Sequence, residues 1–444
     1  MSSLDILFKP KSVALVGAAH TEIKLGGVVL KNLLKFRGRV YPVNPKYKEL
    51  MGLRAYPSVT EIPESVDLGI ILRPAPEVPE ILKEFRNKAL CVIVMSSGFA
   101  EVGETALQDE VLRIGSEHGF RILGPNCMGV YNPHQRLDTF FLPRQRLERP
   151  KKGNVAVVSQ SGAILSCLLS AVREAGAGIS KAVGYGNAAD VSEVDLYDYL
   201  GGDDKSDVVV SYIESVGDGR KFVRSAQGLS GKKPLIILKS GKGASGQAAA
   251  FSHTGRLAGR YELFHSIVKQ FGIREAEDFD ELMDATKALS YQKPSAGRRV
   301  CIITNGGGSG VLAADECMRQ GLDVTGLPEG KKEKLTGLFP DFYGINNPVD
   351  LTAQVKDEDY ITALKELEDT YDGFIVIALP NVFGITERLG ELVKGVRESF
   401  NKPIVSNIPS GGISPRLSAL FEKAKIPVYP SPERAVKGLK ALLG

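Results

Sequence analysis

Three stretches of the chain carry one pattern: a basic or polar opener, a continuous apolar run rich in β-branched residues, a glycine-bearing loop, and then small residues at helical spacing. They read KSVALVGAAH from Lys11, GNVAVVSQSGAIL from Gly153 and RVCIITNGGGSGVLAA from Arg299. An apolar run without alternation predicts a strand covered on both faces, as in parallel sheets; a half-exposed strand would alternate. Such runs interleaved with helical segments predict βαβ units, so each stretch is expected to open a doubly wound α/β domain. Further strands are expected over 39–43, 68–72, 89–95 and 121–123, then over 154–158, 207–213 and 234–239, and finally near 300–303, 373–379, 403–406 and 427–429. The segments LPRQRLERPKK (142–152) and QKPSAGRR (292–299) are polar, basic and proline-containing, as linkers tend to be. The expectation is an α/β protein of three doubly wound parallel-sheet domains, over residues 1–145, 150–292 and 298–444.

Composition narrows the function classes. At 444 residues two or three domains are expected, at roughly 100–200 residues each, and 43% hydrophobic with 24% charged residues is ordinary for a globular chain. A net charge of +4 without any block of like charges points to no nucleic-acid surface. The five cysteines, Cys91, Cys127, Cys167, Cys301 and Cys317, are odd in number, widely spaced and without a CxxC pair, which predicts free thiols in a reducing compartment. The first residues, MSSLDILFKPKSVALVG, lack the pattern of a secretory signal, and no apolar run approaches the roughly 18–20 residues of a membrane span. The chain reads as soluble and cytoplasmic, with no membrane partner.

In an open parallel sheet the loops at the carboxyl ends of the strands gather along one edge, where ligands bind. For the first domain these loops are 17–27 (GAAHTEIKLGG), Asn44-Pro45-Lys46, 73–75, 96–99 and 124–129 (GPNCMG). The first is not GxGxxG, and Asn44-Pro45-Lys46 stands where an acidic residue would meet a ribose, so an ordinary nicotinamide site is disfavoured. Lys46 suits a phosphate near a ribose; a turn with a solvated lysine is the plainer reading.

In the second domain Ser161 and Gly162 follow a strand and open a helix, which makes an anion cradle or simply an N-cap serine. Glu214 closes the strand over 207–213, at the ligand edge or in a surface ion pair. His253 lies among small residues in AAAFSHTGRLAG (248–259), with no second histidine, cysteine or carboxylate beside it, so no metal site is expected there. A surface histidine is the plainer reading, but topology makes Ser161, Glu214 and His253 converge as an anion site, an orienting partner and a base. In the third domain Gly307 and Gly308 of TNGGGSG offer N–H groups to an anion, with tight helix–sheet packing as the alternative.

With GPNCMGV (124–130), SQSG (159–162), YIES (212–215) and FSHTGRLAG (251–259) in this order, the chain resembles the alpha subunits of the nucleoside-diphosphate-forming acyl-CoA synthetases over essentially its whole length. The likeness is strongest to the ADP-forming acetyl-CoA synthetases of archaea, relatives of the succinyl-CoA synthetases. It implies a Rossmann-like CoA-binding domain followed by two flavodoxin-like domains of the succinyl-CoA-synthetase type. It implies that His253 carries a phosphoryl group, that Glu214 holds the imidazole, and that Ser161, Gly162, Gly307 and Gly308 meet phosphate. For CoA it implies contacts from Gly17, Lys24 and Gly26 near the phosphates, Asn44, Pro45 and Lys46 near the adenosine, Ser97 and Gly98 along the pantetheine, and Asn126, Cys127 and Met128 at the thiol end. The small-molecule substrates would be acyl-CoA and phosphate, with ADP/ATP and Mg2+ mainly on a partner. The sequence has no GxxxxGK[ST] loop and no ATP-grasp-like region, so a separate ATP-grasp beta subunit in an alpha2-beta2 heterotetramer is expected, with His253 swinging between sites. A non-catalytic CoA-binding regulatory protein is the alternative; it would not need SHTG and Glu214 together.

Overall fold

The apolar runs form strands close to where the pattern puts them. The computed structural model describes residues 3–243, 245–247 and 260–443, in two compact units, one ending at Glu277 and the next starting at Asp278. Along the chain come β1 (Ser12–Val16), β2 (Arg39–Val43), the short hairpin β3 (Glu49–Leu50) and β4 (Leu53–Arg54), β5 (Leu68–Ile71), β6 (Cys91–Val94) and β7 (Arg121–Leu123). The first sheet runs β2-β1-β5-β6-β7 and is parallel throughout. Every residue of β1, β5 and β6 is buried, as an unbroken apolar run requires.

The second sheet is built from β8 (Gly129–Asn132), β9 (Leu137–Asp138), β10 (Lys152–Ser159), β11 (Ile179–Gly184), β12 (Val208–Ile213), β13 (Leu235–Lys239) and β14 (Arg274–Ala276), in the order β14-β13-β12-β10-β11-β8-β9. Its parallel part repeats the order of the first sheet: second strand, first, third, fourth, fifth. The register sets Ser159 level with Tyr212, Tyr212 with Leu238 and Ile213 with Lys239, so Gln160, Glu214 and Ser240 leave the sheet side by side. β8 and β9 are antiparallel additions that cover the free edge of β11. They draw residues 129–138 away from the first sheet, a pairing between distant segments that no local pattern announces.

Within this unit the two sheets are stitched together. Residues 186–191 run along 121–126 through Asn187 N–H to Pro125 O (3.0 Å), Ala189 N–H to Gly124 O (3.2 Å) and Val191 N–H to Ile122 O (3.1 Å). Arg121 adds ion pairs to Asp190 and Asp195, both at 2.9 Å. One apolar cluster continues from Val13 and Leu15 of the first sheet to Val158, Val209 and Ile237 of the second.

In the second unit β15 (Val300–Thr304), β16 (Val349–Asp350), β17 (Gly373–Ile377), β18 (Ile404–Asn407) and β19 (Val428–Tyr429) form a parallel sheet in the order β16-β15-β17-β18-β19. The helix Phe279–Tyr291 belongs to this unit, where its buried Asp284 accepts from Arg434 Nη2 at 2.7 Å. All three sheets thus share one doubly wound order, with a crevice where the chain leaves the first strand to either side. Among the described residues no helix is long and apolar enough to cross a membrane.

Candidate functional site

At the carboxyl edge of the first sheet lies a cavity of about 320 Å³, lined by Gly17, Lys24, Asn44, Pro45, Lys46, Arg73 and Glu77 among others. Close backbone approach forms it. Gly17 has φ +88°, and a Cβ on Gly26 would sit 2.0 Å from Gly17 O, so only glycine lets the helix Leu25–Leu33 start against this loop. Asn44 is spent on the frame: its Nδ2 donates to Ala18 O at 2.8 Å, and its Oδ1 accepts from Lys46 N–H at 3.0 Å, an Asx turn that presents Lys46. Lys24 and Lys46 are exposed, and Arg73 is paired with Glu77 at 2.7 Å. Five expected residues therefore line one cavity and Gly26 shapes it; Arg73, which no motif marked, joins them.

The loops after β6 and β7 meet next to it. Ser97 is exposed. Gly98, at φ +108°, donates its N–H to Glu101 Oε1 at 2.6 Å, and Asn187 Nδ2 donates to Glu101 Oε2 at 2.6 Å. Burial works to raise the Glu101 carboxyl, but these bonds from Asn187, Gly98 and Phe99 outweigh it and hold it below its ordinary value. Asn126 takes a left-handed conformation (φ +54°), with its N–H on Ser96 O at 2.8 Å. Cys127 is buried with its thiol donating to Val94 O at 3.3 Å, and burial pushes that thiol up to about 12, so it is packing and not a nucleophile. Met128 reaches the second sheet: Cβ atoms built at Gly162 and Gly184 would lie 3.4 Å from its Cε and 2.9 Å from its Cβ. Of the expected thiol-end residues, Met128 is thus a neighbour of the start of the SQSG helix.

The second sheet's edge is organised by Gln160, the residue of SQSG to which the sequence reading gave no role. Ser161 is the N-cap of the helix Gly162–Glu174, its Oγ accepting from Ile164 N–H at 3.4 Å. Its predecessor Gln160 is buried, and its Oε1 accepts from the N–H groups of both Glu214 (2.8 Å) and Ser215 (3.0 Å) while its Nε2 donates to Ser215 Oγ at 3.0 Å. Glu214 is 6% exposed at the end of β12. On its other side Lys239, 2% exposed, donates from Nζ to Glu214 O at 2.7 Å and to Ser240 O at 2.5 Å. Burial pushes Lys239 down to about 8, against the pull of the Glu214 and Glu275 charges. The signal for Lys239 was present: a lysine ending the apolar run PLIILK, in register with the residue before Glu214. Gln160 carries no charge and offered none.

His253 and its whole segment, 248–259, lie outside the described residues. Gly307 and Gly308 open the helix Gly307–Arg319 of the second unit; a Cβ on Gly307 would lie 2.8 Å from Asp350 Oδ2, and Gly308 is open. Among the described residues no group of three or more His, Cys, Asp or Glu side chains could hold a metal ion.

Family models match in three segments: a CoA binding domain over residues 11–133, a succinyl-CoA-ligase-like flavodoxin domain over 152–289, and a ligase-CoA domain over 300–435. The alpha subunit of the ADP-forming acetate–CoA ligase II of Pyrococcus furiosus is 38% identical over 450 residues, covering 99% of this chain and 97% of that protein. The ADP-forming acetate–CoA ligase of Methanocaldococcus jannaschii is 36% identical over 446 residues, and the chain spans only 63% of its length. Among solved structures, the dinucleotide-forming acetyl-coenzyme A synthetase 1 of Ca. Korarchaeum cryptofilum, in complex with phosphate and ADP, matches with a TM-score of 0.93 at 34% identity, covering 100% of this chain and 96% of that one.

Proposed function

This chain belongs to the ADP-forming acetate–CoA ligase family, and from that premise we propose that it is the alpha subunit of an ADP-forming acyl-CoA (acetyl-CoA) synthetase. The overall reaction turns acyl-CoA, ADP and phosphate into the free acid, ATP and CoA. Phosphate oxygen attacks the thioester carbonyl, the C–S bond breaks, and CoA thiolate leaves an acyl phosphate. A nitrogen of His253 then attacks phosphorus, the acid departs as carboxylate, and the phosphohistidine finally gives its phosphoryl group to ADP. An imidazole can carry the group if its other N–H is held by a carboxylate, the role proposed for Glu214.

The observation that carries this reading is the Glu214 carboxylate, nearly buried at a strand's carboxyl end, with its backbone held by Gln160 and Lys239. The N–H groups at the start of the helix Gly162–Glu174 would offset charge on the transferring group, the main protein contribution in phosphoryl transfer. Gly307 and Gly308 would add to them. The cavity of the first sheet suits CoA: Lys24 and Lys46 supply cationic groups for its phosphates, Gly17 and Gly26 the close backbone, and Ser97, Gly98 and Asn126 to Met128 the path toward Gly162. Mg2+ would accompany the nucleotide, held mainly by the partner. That partner is an ATP-grasp beta subunit in an alpha2-beta2 heterotetramer, and the setting is cytoplasmic. The non-catalytic CoA-binding alternative is not favoured, because relatives matching the whole chain carry ligase names.

The test supplies the full chain with a panel of acetyl-, branched and aryl-CoA thioesters and labelled inorganic phosphate. Acid-labile, base-stable label on the protein is expected, lost in His253→Ala and chased into ATP when ADP, Mg2+ and the beta subunit are added. No label with any thioester, or label retained in His253→Ala, refutes the reading.

A further inference from the structure

The backbone of Glu214 is gripped at both ends, by the side chain that follows β10 and by the last side chain of β13. Gln160 takes its N–H, and Lys239 takes its carbonyl at 2.7 Å while also reaching Ser240 O at 2.5 Å. Those two carbonyls belong to the residues with which β12 and β13 pass into their loops, so one ammonium fastens two loop roots together by charge-assisted bonds. Burying an ammonium costs several kcal/mol before compensation, and a methionine would fill the same space without that cost. The lysine's contribution is direction: its N–H groups point at two specified oxygens. The geometry points to Lys239 as a positioning residue for Glu214, required for phosphoryl transfer at this edge although it touches no reacting atom. The inference rests on the phosphohistidine reading above.

Burial loosens the Lys239 proton, and the charged groups facing it work the other way. Glu214 at the end of β12 and Glu275 on β14 attract the ammonium, Tyr212 of β12 brings a hydroxyl that burial pushes up, and the helix Tyr261–Gln270 contributes the Phe264 ring at 5.9 Å. Glu275 in turn accepts from or pairs with His265 Nδ1 at 2.7 Å. Burial brings Lys239 down to about 8. As pH rises through that value the ammonium becomes an amine, the bonds to Glu214 O and Ser240 O lose their charge assistance, and Glu214 loses its fixed height.

The experiment measures phosphoenzyme formation from acyl-CoA and labelled phosphate between pH 6.5 and 9.5, roughly 1.5 units either side of the Lys239 value, alongside CoA affinity by calorimetry. Lys239→Met should slow labelling roughly 100-fold, the scale of a misplacement of about 1 Å, while CoA affinity stays within about twofold. Lys239→Arg, whose guanidinium keeps its charge, should retain partial labelling and lose the alkaline fall that the unaltered protein shows above pH of about 8. Labelling of Lys239→Met at the unaltered rate overturns the inference. So does an alkaline fall that survives in Lys239→Arg, and this variant decides the matter if Lys239→Met also loses CoA binding. Absence of label from the unaltered protein overturns the functional reading as well; label in it and equally in Lys239→Met overturns the role of Lys239 alone.

Discussion

Replacing Gln160 by leucine isolates the brace at the crevice of the second sheet. The change keeps the side chain's volume but removes the acceptor of two buried N–H groups, those of Glu214 and Ser215, and the donor to Ser215 Oγ. A buried donor left without a partner costs about 1–3 kcal/mol, so two such groups set a loss of about 2–6 kcal/mol. The loop can recover part of this by opening to water, which places the expected value near the lower end, and that opening is itself observable. At about 1.4 kcal/mol per tenfold, 2 kcal/mol corresponds to exchange of the Glu214 and Ser215 amides roughly 30-fold faster in Gln160→Leu. Hydrogen exchange followed by mass spectrometry on peptides spanning 212–216 reads it without requiring the two-unit chain to unfold in one step. The expected result is fast exchange confined to this loop, with strand β12 still protected. Unchanged exchange at 214 and 215 would refute the bracing role, since the two amides would then owe their protection to something else.

Three further outcomes follow from the described contacts. Iodoacetamide at pH of about 8 should modify Cys167 alone, because it is exposed while Cys91, Cys127, Cys301 and Cys317 are buried and burial pushes their thiols well up; mass spectrometry of the native protein checks this, and alkylated Cys127 would contradict it. Gly26→Ala should weaken CoA binding at least tenfold, about 1.4 kcal/mol, by driving loop 17–19 off the helix start, whereas Gly308→Ala, with open space around it, should leave it unchanged by calorimetry. Lys239 gives a pH dependence of stability with a definite sign: its folded value lies below its unfolded one, the unfolded chain binds the extra proton, and stability therefore rises with pH between about 8 and 10.5, by up to about 3 kcal/mol. The stability of the unaltered protein relative to Lys239→Met should grow from pH 8 toward 10.5 in denaturant titrations, and a gap that shrinks instead would contradict the burial argument.

Strand placement was legible because these strands are buried on both faces, and an unbroken apolar run has few other destinations. The edge residues were legible for the same reason: Glu214, Asn44 and Gly98 interrupt such runs where a parallel sheet delivers its loops. What could not be read depends on pairings between distant segments. Nothing local tells Gly129–Asn132 to lie antiparallel on β11, or residues 186–191 to follow 121–126. Ser161 shows a different limit, since one hydroxyl fits both an anion cradle and an N-cap, and the side chain is occupied with the second. Gln160 carries no legible role although it sits within SQSG, because an amide does not titrate, yet its side chain holds the Glu214 and Ser215 N–H groups and Ser215 Oγ.

Part of the brace recurs in the second unit. Thr304 Oγ1 donates to Gly306 O as Ser159 Oγ donates to Ser161 O, and Asn305 Oδ1 accepts from Leu379 N–H as Gln160 Oε1 accepts from Glu214 N–H. By register Leu379 stands where Glu214 stands, and Ile408 where Lys239 stands. The hydroxyl–carboxamide pair is therefore scaffolding common to both copies, and the carboxylate and ammonium are additions to one of them. The second unit amounts to an unwritten copy of the first unit's edge: a carboxylate introduced by Leu379→Glu would arrive with its backbone already clamped, which separates the cost of holding such a group from the chemistry it performs.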